Sequence, residues 1–393
     1  MLMIRRLGVK GYVAALASLA VLTVAPRVQA DTTIEQGSAV LVWPKIVVQT
    51  DPSEGPLVDT LVQISNLDDS NVTAAHCFYV NANSHCANTG SVCTSAIDCA
   101  GPGPSFGSCV PGWIEIDFDV ILTPNQPLAW SAAEGLGNSQ IPCPGTFGSK
   151  CSGNQGTRVP PVTETPFIGE LKCIQVSPTV RLPEECTAAN CQNDLAGKAT
   201  IFEVTAGLTD GREYNAVGIQ TAGDNDGDRV LNLGGDPADQ EYEPCHETLI
   251  FDHLFDGATD PISGEFVTES ELTLVPCTED FLTQSTDAFT AQFIVYNEFE
   301  QRFSTSRQVR CLLDSQISLI DTSQPGRSIF SASVAGTIAG NTRIHGVGSG
   351  LLGVAIMNLE VADEVSVPSP RGGAAYSLDG FAFRSEGDRI RVP

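Results

Sequence analysis

Asp224, Asp226 and Asp228 occupy alternate positions of the stretch DNDGDRVLN, and Asn232 follows eight residues after the first. Calcium is a hard cation that takes about six to eight oxygen ligands, and carboxylates spaced this way in a loop can wrap around one ion. The segment is therefore a candidate calcium site. An acidic linker that simply stays solvated is the competing reading of the same residues.

Other groupings carry less. Asn297-Glu298 in FIVYNEFEQRF is similar to the Asn-Glu pair of one clan of retaining glycosidases. Such enzymes present a second carboxylate about 5 Å away from an α/β barrel, and the pattern here lacks the helices of that barrel. Gly348, Gly350 and Gly353 fit G-x-G-x-x-G, but a strand-like pattern follows where a phosphate-binding helix would begin. These glycines read as positions where a strand bulges or passes close to a neighbour. His246 and His253 flank ETLIFD, with Asp252 and Asp256 close by, a conceivable zinc or nickel set. Seven residues apart, they point to opposite faces of one straight strand. No Gly-x-Ser-x-Gly nucleophile elbow and no His-Glu-x-x-His is found: Gly103-Pro104-Ser105-Phe106-Gly107 has the first spacing but lies in the Gly/Ser/Pro-rich stretch, without the strand-to-helix turn an elbow needs. No catalytic residue is assigned, and the protein is expected not to be an enzyme.

The thiols depend on compartment. Arg5, Arg6 and Lys10 precede an apolar run from Tyr12 to Ala25 and then Val28-Gln29-Ala30, the three-part pattern of a secretory signal peptide over residues 1–30. All 13 cysteines follow it, in a setting where disulfides persist. Cys86, Cys93, Cys99 and Cys109 share a Gly/Ser/Pro-rich stretch too poor in apolar residues to build a core. It also lacks the close ligand pairs of a zinc site. They read as two disulfides whose pairing stays open. Cys143 with Cys151, and Cys186 with Cys191, read as local staples. Cys77 and Cys173 lie in strand-like segments of the first half, Cys277 and Cys311 in those of the second, and Cys245 is left over as a free or intermolecular thiol.

Charge narrows the partners. The formal net charge is −26, and loss of residues 1–30, with four cationic and no acidic side chains, would take it to −30. Such a surface repels nucleic acid and anionic lipid. No later segment is long and apolar enough to span a bilayer, so a secreted, periplasmic or cell-surface location is expected, with an extracellular protein or polysaccharide as partner.

Strand signals position these residues. WIEIDFDVIL alternates apolar and acidic side chains, and AVLVWPKIVVQ, VTAAHCFYVN, TAQFIVYNEF and LLGVAIMNLEV behave similarly between Gly, Pro, Asn and Asp. The expected fold is all-β: two tandem antiparallel β-sandwich domains of Ig-like or jelly-roll-like type, over 31–220 and 245–393. Residues 221–244 form an acidic Asp/Gly linker, and 84–112 and 136–163 are Cys-rich insertions on the first domain. Trp113 and Trp130 lie beside the insertions and could supply contact area, although one of them is expected in the core.

Two resemblances add to this. The segment 224–236 resembles the calcium loops of dockerins and thrombospondin type 3 repeats. That likeness makes Asp224, Asp226 and Asp228 ligands and Asn232 a ninth-position ligand or water holder. Arg229 stands where those loops have a turn-making Gly, and Gly235 where the closing acid belongs, with Asp236 one place late. Over most of residues 38–360, SAVLVWPKIVV, AAHCFYVNA, FDVILTPNQPLAW, IGELKCIQV, PCHETLIFDHLFDGA and YNEFEQRFSTS resemble uncharacterised exported bacterial proteins with Cys-rich insertions on β-sandwich domains. The likeness implies a surface or envelope setting and supplies no catalytic residue. The sequence thus points to a non-enzymatic, adhesive or partner-binding protein working through its loop insertions. A calcium-assisted carbohydrate-binding module is the alternative, and an extracellular hydrolase is third.

Overall fold

Period-two alternation sets many of the strands. In Ile114–Leu122 the side chains of Phe118, Val120 and Leu122 are buried while Asp117 and Ile121 face outward. Phe167–Val176 and Val40–Val48 are instead buried almost along their whole length, because both faces of their sheet are covered. The computed structural model describes residues 32–33 and 36–393, apart from 54, 90, 94–96, 100–106, 111–113, 138–157, 178–191, 206–207, 224–225, 286–287, 325 and 362–371. The expected signal peptide lies outside the described residues, as do the staples Cys143 with Cys151 and Cys186 with Cys191. Among the described residues helix is confined to the turns Ile317–Leu319 and Ala332–Ala335.

The strands build five sheets of three to six strands and a two-stranded ribbon. Val40–Val48, Phe167–Val176 and Thr73–Asn81 lie in the six-stranded sheet. Leu195–Thr205 and Leu57–Asn66 pair in one four-stranded sheet, and Phe266–Pro276 and Leu351–Val361 in the other. Arg302–Arg310, Ala288–Asn297, Ala339–Val347, His246–Leu254 and Asp379–Phe383 form the five-stranded sheet in that order. Together the five sheets make a five-bladed, propeller-like assembly. Strands adjacent in a sheet are often distant in sequence, so no internal repeat marks the blades.

This corrects the two tandem β-sandwich domains expected from the sequence. Asp31–Pro393 is one compact unit. The supposed linker contributes the strand Val230–Leu233, which pairs antiparallel with Asp388–Arg391, itself parallel to Glu279–Asp280. Leu231, Leu233 and Tyr242 of that segment are buried beside Val40, Phe78 and Phe281 in one core cluster. Phe78 and Phe281 stack at 4.2 Å between ring centroids, and Val354 and Ile356 from the second half join Trp43 and Trp130 in another cluster. Periodicity reports which face of a strand is buried and says nothing about which other strand buries it, so sandwich and propeller share one pattern.

Lys45 ties the halves as well. Its Nζ donates to Asp314 at 2.6 Å and Glu271 at 2.9 Å. Burial works to lower the Lys45 pKa, but those two carboxylates outweigh it and hold the group charged. Removing one partner of a buried pair typically costs about 3–5 kcal/mol. Calorimetry of the whole chain should therefore show a single cooperative transition, and residues 31–220 or 245–393 expressed alone should melt without one. Two resolved transitions, or a sharp melt of either half, would restore independent domains.

Candidate functional site

Glu241 organises the acidic loop. It is buried, its Oε1 accepts the backbone N–H of Asp226 at 3.1 Å and its Oε2 that of Asn232 at 2.8 Å. Carboxylate oxygens of Asp226, Asp228 and Glu241 lie within 4.8 Å of one another. Asn232, Asp239 and Arg389 line the same cavity of about 420 Å³. Arg229 adopts φ 72°, the left-handed conformation a glycine would take most easily. Of the residues expected from the sequence, Asp224 lies outside the described ones. Asp236 stands apart, its carboxylate accepting the N–H of Ala238 in a local turn. Glu241, and not Asp236, is the acidic residue whose carboxylate faces Asp226 and Asp228. Burial pushes its carboxyl above the usual range, although the Asn232 and Asp226 amides oppose this.

The chemistry of this set suits a hard cation. Three carboxylates converge, one fixed by backbone donors, and Asn232 offers a neutral oxygen. Arg389 brings positive charge to the same cavity and competes with an ion there.

The first Cys-rich insertion is stapled by Cys86–Cys99 and Cys93–Cys109 around the ribbon His85–Cys86 with Cys109–Val110. Its sulfurs are consumed in these bonds. Glu164 fastens the base, accepting from Asn81 at 2.6 Å and Asn83 at 2.7 Å and meeting His85 Nε2 at 2.9 Å. Cys77–Cys173 joins neighbouring strands within the six-stranded sheet. In the second half the expectation is corrected: Cys245 pairs with Cys277, and Cys311 is the free, buried cysteine. Cys311 sits at φ 63° just beyond its strand, and Cys277 directly follows the strand Phe266–Pro276.

Trp130 is not a contact residue. It is 2 % exposed and its indole N–H donates to Tyr79 Oη at 2.6 Å. Trp113 lies outside the described residues. Exposed aromatic material is found instead on the outer face of the five-stranded sheet, which sequence reading missed. Phe202 and Phe299 are exposed elsewhere, but on this face Arg343 lies over the Tyr296 ring at 5.8 Å and the Phe381 ring at 5.5 Å. Ile250 and Gln292 are exposed on the same face, and Arg302 and Arg310 stand on the outermost strand. Asp252 and Asp379 sit towards the opposite edge. Alternation in TAQFIVYN and NTRIHGV carried the signal, but ring and guanidinium meet only across strand register: Arg343 is opposite Ile294, two residue pairs from Tyr296 opposite Asn341.

The remaining motifs have structural roles. Asn297 is buried and donates to Ala335 O at 2.8 Å and Gln301 at 2.9 Å, closing a hairpin. Gly348 adopts φ 104° and a Cβ on Gly350 would meet Cys245 and Asp388, so those glycines serve a turn and a close approach. His246 and His253 are both buried, against Phe383 and Phe251 respectively. Comparison with protein-family models, curated proteins and solved structures gives no match for this chain.

His253 shares a hydrogen bond with Thr342 Oγ1 at 2.8 Å, and burial pushes its pKa down to about 4. The unfolded chain binds this proton near its ordinary value of about 6.5, so His253 leaves stability unchanged above that pH and subtracts from it as pH falls towards about 4. Chemical denaturation should show a loss of about 3 kcal/mol across this window, and His253→Gln should flatten it. Equal slopes for the two proteins would remove His253 as the cause.

Proposed function

We propose that the protein is an exported, non-enzymatic binding protein that adheres to an extracellular partner through the outer face of the five-stranded sheet. The observation that carries this reading is Arg343 held between the Tyr296 and Phe381 rings on an exposed face. Tyr and Arg dominate binding hot spots because they combine area with directed polar contact. A strand-built face also presents them on a rigid surface, at little ordering cost. The four disulfides among the described residues support an oxidising compartment. With a formal charge of −26, the chain repels polyanions at long range, which favours an uncharged polysaccharide whose sugar rings stack on aromatic side chains. The stapled insertion 84–112 is a second, loop-borne contact region.

Retention on insoluble neutral polysaccharides, such as cellulose and chitin, tests this against alginate as the charged control. Binding to a neutral matrix should persist in moderate salt and weaken about tenfold in Arg343→Ala and Phe381→Ala, in keeping with about 1–2 kcal/mol for a partly desolvated cation–π contact. Retention that both substitutions leave unchanged would remove the face from the reading.

Calcium assistance is a second reading, favoured by the convergence of Asp226, Asp228 and Glu241. An ion there would join the loop after residue 224 to the strand Val230–Leu233 and stiffen the seam between the halves. Affinity is expected at about 10⁻⁴ to 10⁻³ M, falling in acid because the proton on Glu241 competes. Isothermal titration and melting with and without chelator should show a calcium-dependent gain that Glu241→Gln abolishes. Identical melting curves would leave the loop as a hydrogen-bonded turn.

A further inference from the structure

In the six-stranded sheet Glu170 and Lys172 alternate along one strand and lie in a water-excluded interior. Lys172 is 0 % and Glu170 1 % exposed, and Glu279, from the three-stranded sheet, is 3 % exposed. Lys172 Nζ donates to Glu279 Oε2 at 2.5 Å and to the carbonyl of Pro276 at 3.0 Å, and it lies 3.3 Å from Glu170 Oε2. One cation therefore faces two carboxyl groups. Neither oxygen of Glu170, nor Oε1 of Glu279, has a hydrogen-bond partner.

That distinguishes the group from Lys45, whose carboxylate partners are partly solvated and take further donors from Thr273 and Asn358. Orphaned buried carboxylate oxygens are costly, and each buried ion costs several kcal/mol. Burial, and then the neighbouring Glu170, push the Glu279 carboxyl well above its ordinary range, which favours its neutral form. Burial works to lower the Lys172 pKa, and the two carboxyl groups more than offset this.

We propose that Lys172 and Glu279 condense to an intramolecular amide, with Glu170 accepting the proton. The Lys172 ammonium gives one proton to the Glu170 carboxylate, and the freed nitrogen lone pair attacks the carboxyl carbon of protonated Glu279. The N–C bond forms and the C–OH bond breaks. The hydroxyl departs as water, carrying the second proton from nitrogen, and Glu170 ends as the neutral acid. No oxidant or cofactor is required, and no formal charge remains on these three side chains.

The surroundings hold the reactants together. Cys173, next to Lys172, is bonded to Cys77, and Cys277, two residues before Glu279, is bonded to Cys245. Groups held in contact react as if at very high concentration, and exclusion of water removes the competing solvation of amine and acid. The amide would join the six-stranded to the three-stranded sheet, across the seam between the two halves of the chain.

Intact mass of the purified protein, denatured, reduced and alkylated, provides the test. The expected result is a mass one water molecule below that of the chain, with a branched proteolytic peptide joining the segments that contain Lys172 and Glu279. Lys172→Met and Glu170→Gln should both give the full mass, the second while keeping the shape of the site. Wild-type protein at full mass would overturn the proposal whether or not either variant folds. So would a Glu170→Gln protein that still loses water between these two residues.

Discussion

The face of Phe167–Val176 that carries Glu170, Lys172 and Ile174 sets the constraint on which the rest of the structure depends. A lysine fully withdrawn from water needs both charge and hydrogen-bond acceptors inside the protein, and the strand's own Glu170, 3.3 Å away, does not hydrogen-bond it. Lys172 instead reaches Glu279, more than a hundred residues later, and Pro276 O on the way. The sheets so joined close around Phe78, Phe281, Leu231 and Ile390. One apolar cluster then spans both halves of the chain.

That arrangement separates mechanical from recognition roles. The Cys-bonded strands and the buried Lys45 and Lys172 ion pairs form the interior and the seams. The outer face of the five-stranded sheet carries its arginines and aromatic rings outward, where nothing in the core depends on them. Substitution on that face can proceed without repacking, whereas the acidic loop cannot change so freely. Glu241 there satisfies two backbone amides as well as facing Asp226 and Asp228.

Elements were legible where local chemistry decides them. The strand Ile114–Leu122 follows from its alternation, and the Cys86-to-Cys109 stretch from its lack of apolar residues. The near-absence of helix among the described residues was legible too. What was not legible depends on partners distant in sequence. The segment 221–244 is rich in Asp and Gly and reads as linker, yet Leu231, Leu233 and Tyr242 are buried because Asp388–Arg391 pairs against them. Trp130 beside an insertion looks like contact area until Tyr79 accepts its N–H in the core. Glu170 and Lys172 stand in FIGELKCIQV as ordinary polar alternation. Only the cover over that second face turns them into buried ions.

Cys311 differs from the other described cysteines in carrying a thiol, and it shares a core cluster with Cys245 and Cys277. While the fold is closed, burial pushes the thiol's pKa well up and it stays unreactive. Once heat opens that cluster, the same sulfur is free to attack a neighbouring disulfide and leave the bonds in a shuffled pattern. Thermal damage would then be recorded covalently, and cooling alone would not erase it.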